Sequence, residues 1–292
     1  MSDLTRHVTV VTDSAAALSQ EQIDEFQLFV ARMEIVIDGK AFIDEPEGDL
    51  SDFYSNLASS VEIPTTSAPK PAEYLNQFRS AVNVTDNIFC VTVSGKLSAS
   101  NAAARVATEM IADELPKVVV RVFDSGTAAS SQALIALAAA RAAAEGGNLD
   151  DVEAAASVEA GKVRLVAMLD TLRFIHKSGR VPKIAVWVTD TLNIKPVMEF
   201  STEKTGAIAR PLSVDRALDR ILKEMSSDLD GTQAHINVIH AGAAKRAEVL
   251  RSWAADNLNC VELFVTQFHP FMGAHTGPGL VGASWWAAWW AE

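Results

Sequence analysis

Short β-rich runs alternate with helical runs through the first half of the chain, and this alternation limits the fold more than any other feature. Four segments are predicted as strands: His7–Thr12, Met33–Ile37, Ile88–Val93 and Val118–Phe123. Helices are predicted over Gln20–Phe29, Ser51–Ser59, Ala72–Val82, Ala99–Ala112 and Ser130–Glu145. Such alternation builds a parallel sheet with helices on both faces.

The second half has a different pattern, in which neighbouring strands are predicted to pair as hairpins. Segments Ile194–Phe200 and Ala207–Leu212 are the first such pair. At 292 residues the chain is too long for one small core. We therefore expect an α/β protein of two domains. Residues 1–158 form an N-terminal parallel sheet with helices on both faces, and residues 159–292 form a C-terminal α+β domain with a mixed or antiparallel sheet.

Composition excludes some classes of partner. The chain has 25 Lys and Arg against 37 Asp and Glu, a net charge of −12. A surface this acidic repels phosphate backbones, so nucleic acid is not an expected partner. Cys90 and Cys260 each lie in an apolar run, which predicts buried reduced thiols and no disulfide. The first residues lead into a strand without a signal-peptide pattern, so we expect a cytoplasmic protein.

Hydroxyl and carboxyl side chains follow three of the predicted strands at the point where the chain turns towards a helix. They are Thr12-Asp13-Ser14, Ser94 and Asp124-Ser125. The carboxyl ends of parallel strands share one crevice, where the N-termini of the following helices favour an anion. Each of these residues taken singly is more simply a helix cap. Three together favour a binding site, with Asp13, Ser14 and Ser94 among its candidate residues.

Two other segments add polar candidates. A proline-rich segment contains Thr66 and Ser67, and its alternative role is to start the next helix. The segment Gly273–Gly279 is predicted as a glycine-rich loop that carries His275 and Gly277. Glycines allow a backbone to approach a ligand closely, and His275 could hydrogen-bond a carboxylate. A single loop histidine is more often a surface residue.

Seven short motifs together resemble the DegV family of bacterial fatty-acid-binding proteins, which includes the binding subunits of fatty acid kinase. They occur in the family's order and spacing over nearly the whole chain. The motifs are Thr12-Asp13-Ser14, Thr66-Ser67-x-Pro69, Ser94-x-x-Leu97-Ser98, Asp124-Ser125, Ser178-Gly179-Arg180-Val181, Asn193-Ile194-Lys195-Pro196 and Gly273-Ala274-His275-x-Gly277-Pro278-Gly279.

The resemblance implies that one long-chain fatty acid threads into a tunnel of the N-terminal domain. It implies that Thr66 and Ser98 hold the carboxylate at the domain junction, with Arg180 and His275 beside it. The expected partner is a fatty acid kinase subunit, which phosphorylates the bound carboxylate with ATP. The chain itself is then a carrier without catalysis, and its only expected ligand is the fatty acid, with no cofactor and no metal.

The chain departs from the family pattern near these residues. Ala99-Ser100 replaces the usual Gly-Thr, and Ser178-Gly179 replaces a double glycine. Lys70 stands where the family commonly has a serine that caps the next helix, so a cap worth about 1 kcal/mol is expected to be missing. None of these changes removes a proposed carboxylate contact.

A serine-dependent acyl hydrolase or transferase is the main alternative. Ser67 and Lys70 match an S-x-x-K pattern, and Lys204-Thr205-Gly206 matches K-T-G. That chemistry needs the serine and the lysine on one helical turn, which the prolines at 69 and 71 disfavour. Ser94 is a second nucleophile candidate, paired with His275, but it lacks a G-x-S-x-G elbow.

Nucleotide and metal enzymes are weaker alternatives. The sequence has no phosphate-binding glycine motif, and its six histidines are scattered.

Four of the six tryptophans, Trp285, Trp286, Trp289 and Trp290, lie in the last eight residues. We favour packing of these rings over the C-terminal domain. The competing hypothesis is a transient membrane contact while the fatty acid is exchanged.

Overall fold

The computed structural model describes residues 6–37, 39–45, 50–60, 62–181, 194–202 and 205–288. Its backbone contacts divide the chain into two compact units. The first comprises residues 1–47 and 66–161, and the second comprises residues 48–65 and 162–292. The sequence predicted an uninterrupted first domain of residues 1–158, whereas residues 48–65 belong to the second unit.

The strands are β1 (Thr9–Asp13), β2 (Phe29–Ala31), β3 (Glu34–Ile37), β4 (Lys40–Ile43), β5 (Thr65–Ser67), β6 (Asn87–Thr92), β7 (Val119–Asp124), β8 (Arg164–Met168), β9 (Val197–Phe200), β10 (Thr205–Ala209), β11 (Gln233–His240), β12 (Asn259–Gln267) and β13 (Val281–Ala288). The helices are α1 (Gln20–Glu25), α2 (Ser51–Ser59), α3 (Pro71–Val82), α4 (Ser100–Glu114), α5 (Ala129–Ala144), α6 (Leu149–Ala160), α7 (Arg173–Ser178), α8 (Val214–Leu229), α9 (Ala244–Asn257) and α10 (Pro270–Thr276).

The first unit contains a four-stranded parallel sheet in the order β2-β1-β6-β7. Side chains of successive strand residues point to opposite faces, so each strand contributes to two cores. Val11, Ile88 and Cys90 pack against α3 and α4 on one face. Helices α5 and α6 contact the sheet through β1 and β6. The predicted parallel sheet with helices on both faces is confirmed.

Strand β2 of this sheet differs from the prediction. The predicted helix Gln20–Phe29 ends at Glu25, and β2 follows it at Phe29. Gln27 has a positive φ of 51°, which turns the chain back so that β2 can pair with β1. The predicted strand Met33–Ile37 forms at Glu34–Ile37, but it belongs to a separate sheet of order β4-β3-β5. The proline-rich segment that contains Thr66 and Ser67 supplies β5.

Helix α6 was not predicted, because the expected domain boundary fell within it. Its N-terminus is defined by Asn148, whose side chain accepts hydrogen bonds from the backbone N–H groups of Asp150 and Asp151 at 2.7 and 3.2 Å. The Asp151 side chain in turn accepts from the Asn148 backbone N–H at 2.9 Å. This capping box was visible in the sequence and explains the local structure.

The second unit contains a six-stranded mixed sheet in the order β10-β9-β8-β13-β11-β12. Only β11 and β12 pair in parallel, and the other pairs are antiparallel. Helices α8 and α9 pack on one face and cover the main core. The predicted mixed sheet is therefore confirmed, including the hairpin between β9 and β10.

Two of the C-terminal tryptophans pack within the second unit. Trp285 is 1% exposed within the core and Trp286 stacks on His235 with ring centroids 4.7 Å apart, so both rings pack as favoured. Trp289 and Trp290 lie outside the described residues.

Cys90 is buried, but Cys260 is only half-buried because β12 is an edge strand. Both thiols are free.

Candidate functional site

The carboxyl edge of the parallel sheet collects the predicted row of polar residues. Strand β1 ends at Asp13, β7 ends at Asp124, and Ser94 follows β6 by two residues. Strand pairing aligns Thr12 with Val91, so these strand ends lie side by side.

Asp13 is the centre of this edge, and protein donors occupy both of its carboxylate oxygens. Oδ2 accepts hydrogen bonds from the Tyr74 hydroxyl and the Val93 backbone N–H, both at 2.9 Å. Oδ1 accepts from Gln132 Nε2 at 2.9 Å and from the Ala15 N–H at 3.2 Å. The residue is fully buried. It therefore connects β1, β6, α3 and α5 and organises the edge.

Burial controls the titration of this cluster. Removal from water raises the pKa of the Asp13 carboxyl, and the hydrogen bonds from Gln132, Val93, Tyr74 and Ala15 oppose that rise. Burial, followed by the charge of Asp13, raises the pKa of Tyr74 well above its ordinary value. The same two causes raise the pKa of the Cys90 thiol, so Cys90 is protonated at neutral pH and is not a nucleophile.

The other polar groups at this edge mainly support turns. The Ser14 hydroxyl accepts from the Met33 backbone N–H at 3.1 Å. The Asp124 carboxylate accepts from the N–H groups of Gly95 and Gly126. Ser125 donates to the Thr127 carbonyl and accepts from its N–H. These bonds fix the loops that position the residues between β6 and α4.

Ser98 lies at the start of α4, where an anion is favoured. Its hydroxyl is 2.9 Å from the Ser100 hydroxyl and accepts the Ser100 backbone N–H at 3.3 Å. Ala99 is the cap residue and has no side-chain hydrogen bond. Ser98 is half-buried, so it is both shielded and reachable. The dipole of this 15-residue helix places partial positive charge at Ser98.

Thr66 is the central residue of β5 and is half-buried, whereas its neighbours Thr65 and Ser67 are exposed. The Ser67 hydroxyl is 3.4 Å from Glu34 Oε2. Lys70 precedes α3 as the cap residue without a side-chain cap, which confirms the expected missing cap.

In the second unit, His275 and Arg180 are electrostatic neighbours. His275 lies in the last turn of α10, a helix that begins with Pro270 and ends before Gly277, so the first part of the predicted loop is helical. Burial, followed by the positive charge of Arg180, lowers the pKa of His275 to about 4. The imidazole is therefore neutral at pH 7. Arg180 is exposed and donates from Nη1 to the Ser178 carbonyl at 2.7 Å.

Close packing requires glycine after α10. Gly277 has a φ of 78°, and a Cβ there would lie 2.4 Å from Cδ2 of the Phe174 ring in α7. Gly279, with a φ of 84°, leaves room for Asp170, which pairs with Lys195 at 2.7 Å and with Arg246 at 3.2 Å. The two motifs that contain Lys195 and Gly279 are thus joined through Asp170. Asn193 of the first motif lies outside the described residues.

The S-x-x-K interpretation lacks the geometry it needs. Ser67 is in β5 and Lys70 precedes α3, so the two residues do not share a helical turn; both side chains contact Glu34 instead. Ser94 is 2% exposed, and its hydroxyl oxygen accepts a backbone hydrogen bond. Lys204 of the K-T-G match lies outside the described residues.

Among the described residues, no three His, Cys, Asp or Glu side chains are grouped so that they could hold a metal ion. Over the same ranges, no helix combines the length and the apolar character that crossing a membrane requires.

Tyr74 and Gln132, whose side chains donate to Asp13, were not among the predicted site residues. Both lie in predicted helices, where Tyr74 has the spacing of an ordinary core residue. Their approach to Asp13 depends on the packing of α3 and α5 on opposite faces of the sheet. No spacing within the sequence indicates it.

Comparison with known proteins identifies the family. Residues 7–288 match the family model described as an uncharacterised protein of the DegV family. A DegV domain-containing protein of Streptomyces coelicolor is 30% identical over 282 residues, which cover 96% of this chain and 98% of the relative. The chain belongs to the DegV family.

Solved structures of the family share the fold. A DegV family protein from Thermus thermophilus, described by its fatty acid binding, has a TM-score of 0.87 and 25% identity and covers 97% of this chain and 100% of its own. DegV of Bacillus subtilis, described as a fatty acid binding protein, has a TM-score of 0.83 and 24% identity over 97% of this chain and 100% of its own. Both are described by binding and not by a catalysed reaction.

Proposed function

We propose that this chain binds one long-chain fatty acid and acts as a carrier without catalytic activity of its own. The observation that carries the proposal is the likeness to the fatty-acid-binding protein of Thermus thermophilus over nearly the full length of both chains. The described residues support it, because the polar groups at the sheet edge include hydroxyl donors and the start of a helix.

The carboxylate is proposed to bind Thr66 and Ser98. Both residues belong to the first unit, both are half-buried, and both carry a hydroxyl that can donate to an anion. Ser98 adds the partial positive charge of the α4 N-terminus. Asp13 and Ser14, whose side chains already have protein partners, support the site through its loops, as do Ser94 and Ser67.

Most of the binding free energy is expected from the acyl chain. Each buried methylene contributes about 0.8 kcal/mol, whereas a hydrogen bond that replaces one to water contributes about 1 kcal/mol net. The hydroxyl groups therefore fix the orientation of the ligand more than they add affinity.

Arg180, His275 and Gly277 are proposed as supporting residues on the strength of the sequence resemblance. Their chemistry suits a carboxylate, because a cation lies beside a neutral imidazole that can donate one hydrogen bond. Gly277 contributes by allowing α10 to pack against Phe174.

Presentation of the bound fatty acid to a fatty acid kinase is the proposed role of the complex, also by resemblance. The kinase would supply ATP and catalysis, and the carrier would supply the carboxylate. Acyl-phosphate formation that depends on both proteins would support this role. A kinase that works equally well without the carrier would refute it.

Native mass spectrometry of the freshly purified protein, followed by solvent extraction, tests the binding proposal. A stoichiometric adduct that extracts as a long-chain fatty acid is expected. A clean apo mass, combined with failure to take up added palmitate or oleate, would refute fatty acid binding.

Ser98→Ala and Thr66→Ala test the residue assignment. Each should weaken palmitate binding about five-fold, since one hydrogen bond is worth about 1 kcal/mol. Ser80→Ala, which removes an exposed hydroxyl from α3, serves as the control and should leave the Kd unchanged. Isothermal titration gives the Kd of each variant. A double variant that binds like the wild type would contradict the assignment.

A further inference from the structure

Glu34 on β3 contacts two side chains that follow Thr66 in the chain. Its Oε1 atom pairs with Lys70 Nζ at 3.2 Å, and its Oε2 atom lies 3.4 Å from the Ser67 hydroxyl. A single carboxylate therefore anchors the segment between β5 and α3 at two points.

This arrangement determines the direction of Thr66. Strands β3 and β5 are neighbours in the small sheet. Because side chains alternate along a strand, Ser67 and Thr66 point to opposite faces of β5. A bond that fixes Ser67 on the Glu34 side consequently fixes Thr66 on the other side. Pro69 and Pro71 limit the backbone rotations that remain in the segment.

We propose that Glu34 is a positioning residue of the carboxylate site, which orders the Thr66 segment through Ser67 and Lys70. The inference rests on the proposed function, since it concerns how long the bound carboxylate is retained. Without the ion pair, the segment between β5 and α3 is less ordered, and the ligand is released sooner.

The expected effect is small and sensitive to salt. The Lys70 side chain is 70% exposed and that of Glu34 is 28% exposed. Exposed ion pairs of this kind change an equilibrium or a rate by about two- to five-fold. At 1 M salt the screening length is about 3 Å, so most of the contribution should vanish.

Stopped-flow dissociation of a fluorescent long-chain fatty acid tests the proposal. Glu34→Ala should raise the dissociation rate about two- to five-fold at low salt, and the charge-swapped Glu34→Lys/Lys70→Glu variant should restore most of the wild-type rate. Glu114→Ala is the matched control. It removes the exposed ion pair between Glu114 and Arg79 in the same unit and should leave the rate unchanged.

The outcomes separate this inference from the proposed function. Equal rates for the wild type and Glu34→Ala would overturn it, as would a Glu34→Ala effect that persists at 1 M salt and is not rescued by the charge swap. A wild-type protein that takes up no fatty acid would overturn the proposed function first. Loss of binding in Ser98→Ala with no effect of Glu34→Ala would overturn the positioning role alone.

Discussion

Asp13 and His275 are both removed from water, and burial shifts their pKa values in opposite directions. Burial raises the pKa of the Asp13 carboxyl, and four hydrogen bonds oppose that rise. Burial and the charge of Arg180 lower the pKa of His275 to about 4. In each case burial disfavours the charged form, and at Asp13 the hydrogen-bond donors compensate in part.

His275 should make stability depend on pH. The unfolded histidine titrates near 6.5, so between pH 6.5 and about 4 the unfolded state binds a proton that the folded state does not. Stability is therefore full above pH 6.5 and falls as the pH falls towards 4, by at most about 3 kcal/mol. Urea unfolding across this range should show a smaller loss for His275→Gln. Equal losses in both proteins would contradict the shift.

Helix α3 begins without a side-chain cap. Lys70 has extended backbone angles that suit a cap residue, with φ −68° and ψ 155°, but its side chain makes no cap bond. Pro71 begins the helix and Glu73 occupies the third position. Only a short hydroxyl or carboxyl side chain at position 70 is missing from a capping box.

Lys70→Ser should therefore stabilise the protein. The new hydroxyl can accept the Glu73 backbone N–H while the Glu73 side chain reaches back to residue 70, which is worth about 1 kcal/mol. The exposed ion pair to Glu34 that is lost contributes less. Urea unfolding measures the change, with Lys70→Ala as the control that removes the ion pair without adding a cap. A Ser variant no more stable than the Ala variant would contradict the capping argument.

A ligand that binds only the native protein stabilises the whole chain by mass action. Free palmitate at 100 times its Kd should raise the free energy of unfolding by about 2.7 kcal/mol. For a chain of 292 residues, with an unfolding entropy of about 2.1 cal/mol/K per residue, that corresponds to a rise in Tm of about 4 °C.

Calorimetry with palmitate and with methyl palmitate should separate the two parts of the ligand. Methyl palmitate keeps the acyl chain but lacks the carboxylate, so it should raise the Tm less. The difference between the two ligands should shrink in Ser98→Ala. Equal shifts for both ligands in the wild type would show that the headgroup contributes nothing.

The sequence by itself determined most of the helices and strands, because hydrophobic period and turn residues are local, and the parallel sheet and the β9–β10 hairpin follow from such patterns. Strand β2 and helices α6 and α10 are exceptions, although the residues of the capping box at Asn148 are close together in the sequence. Local patterns also placed Asp13, Ser94 and Asp124 at one sheet edge, since parallel strands necessarily align their carboxyl ends.

Only the tertiary structure decided which strand pairs with which and what surrounds each polar group. The chain turns at Gln27, which has a positive φ, and β2 then pairs with β1 in the parallel sheet. Strand β3 instead pairs in the small sheet, next to β5. No hydrophobic pattern in the sequence specifies this pairing of strands. Tyr74 binds Asp13 and Glu34 binds Lys70, and in both pairs the two residues are far apart in the sequence. Contacts across such separations depend on packing and cannot be obtained from local spacing.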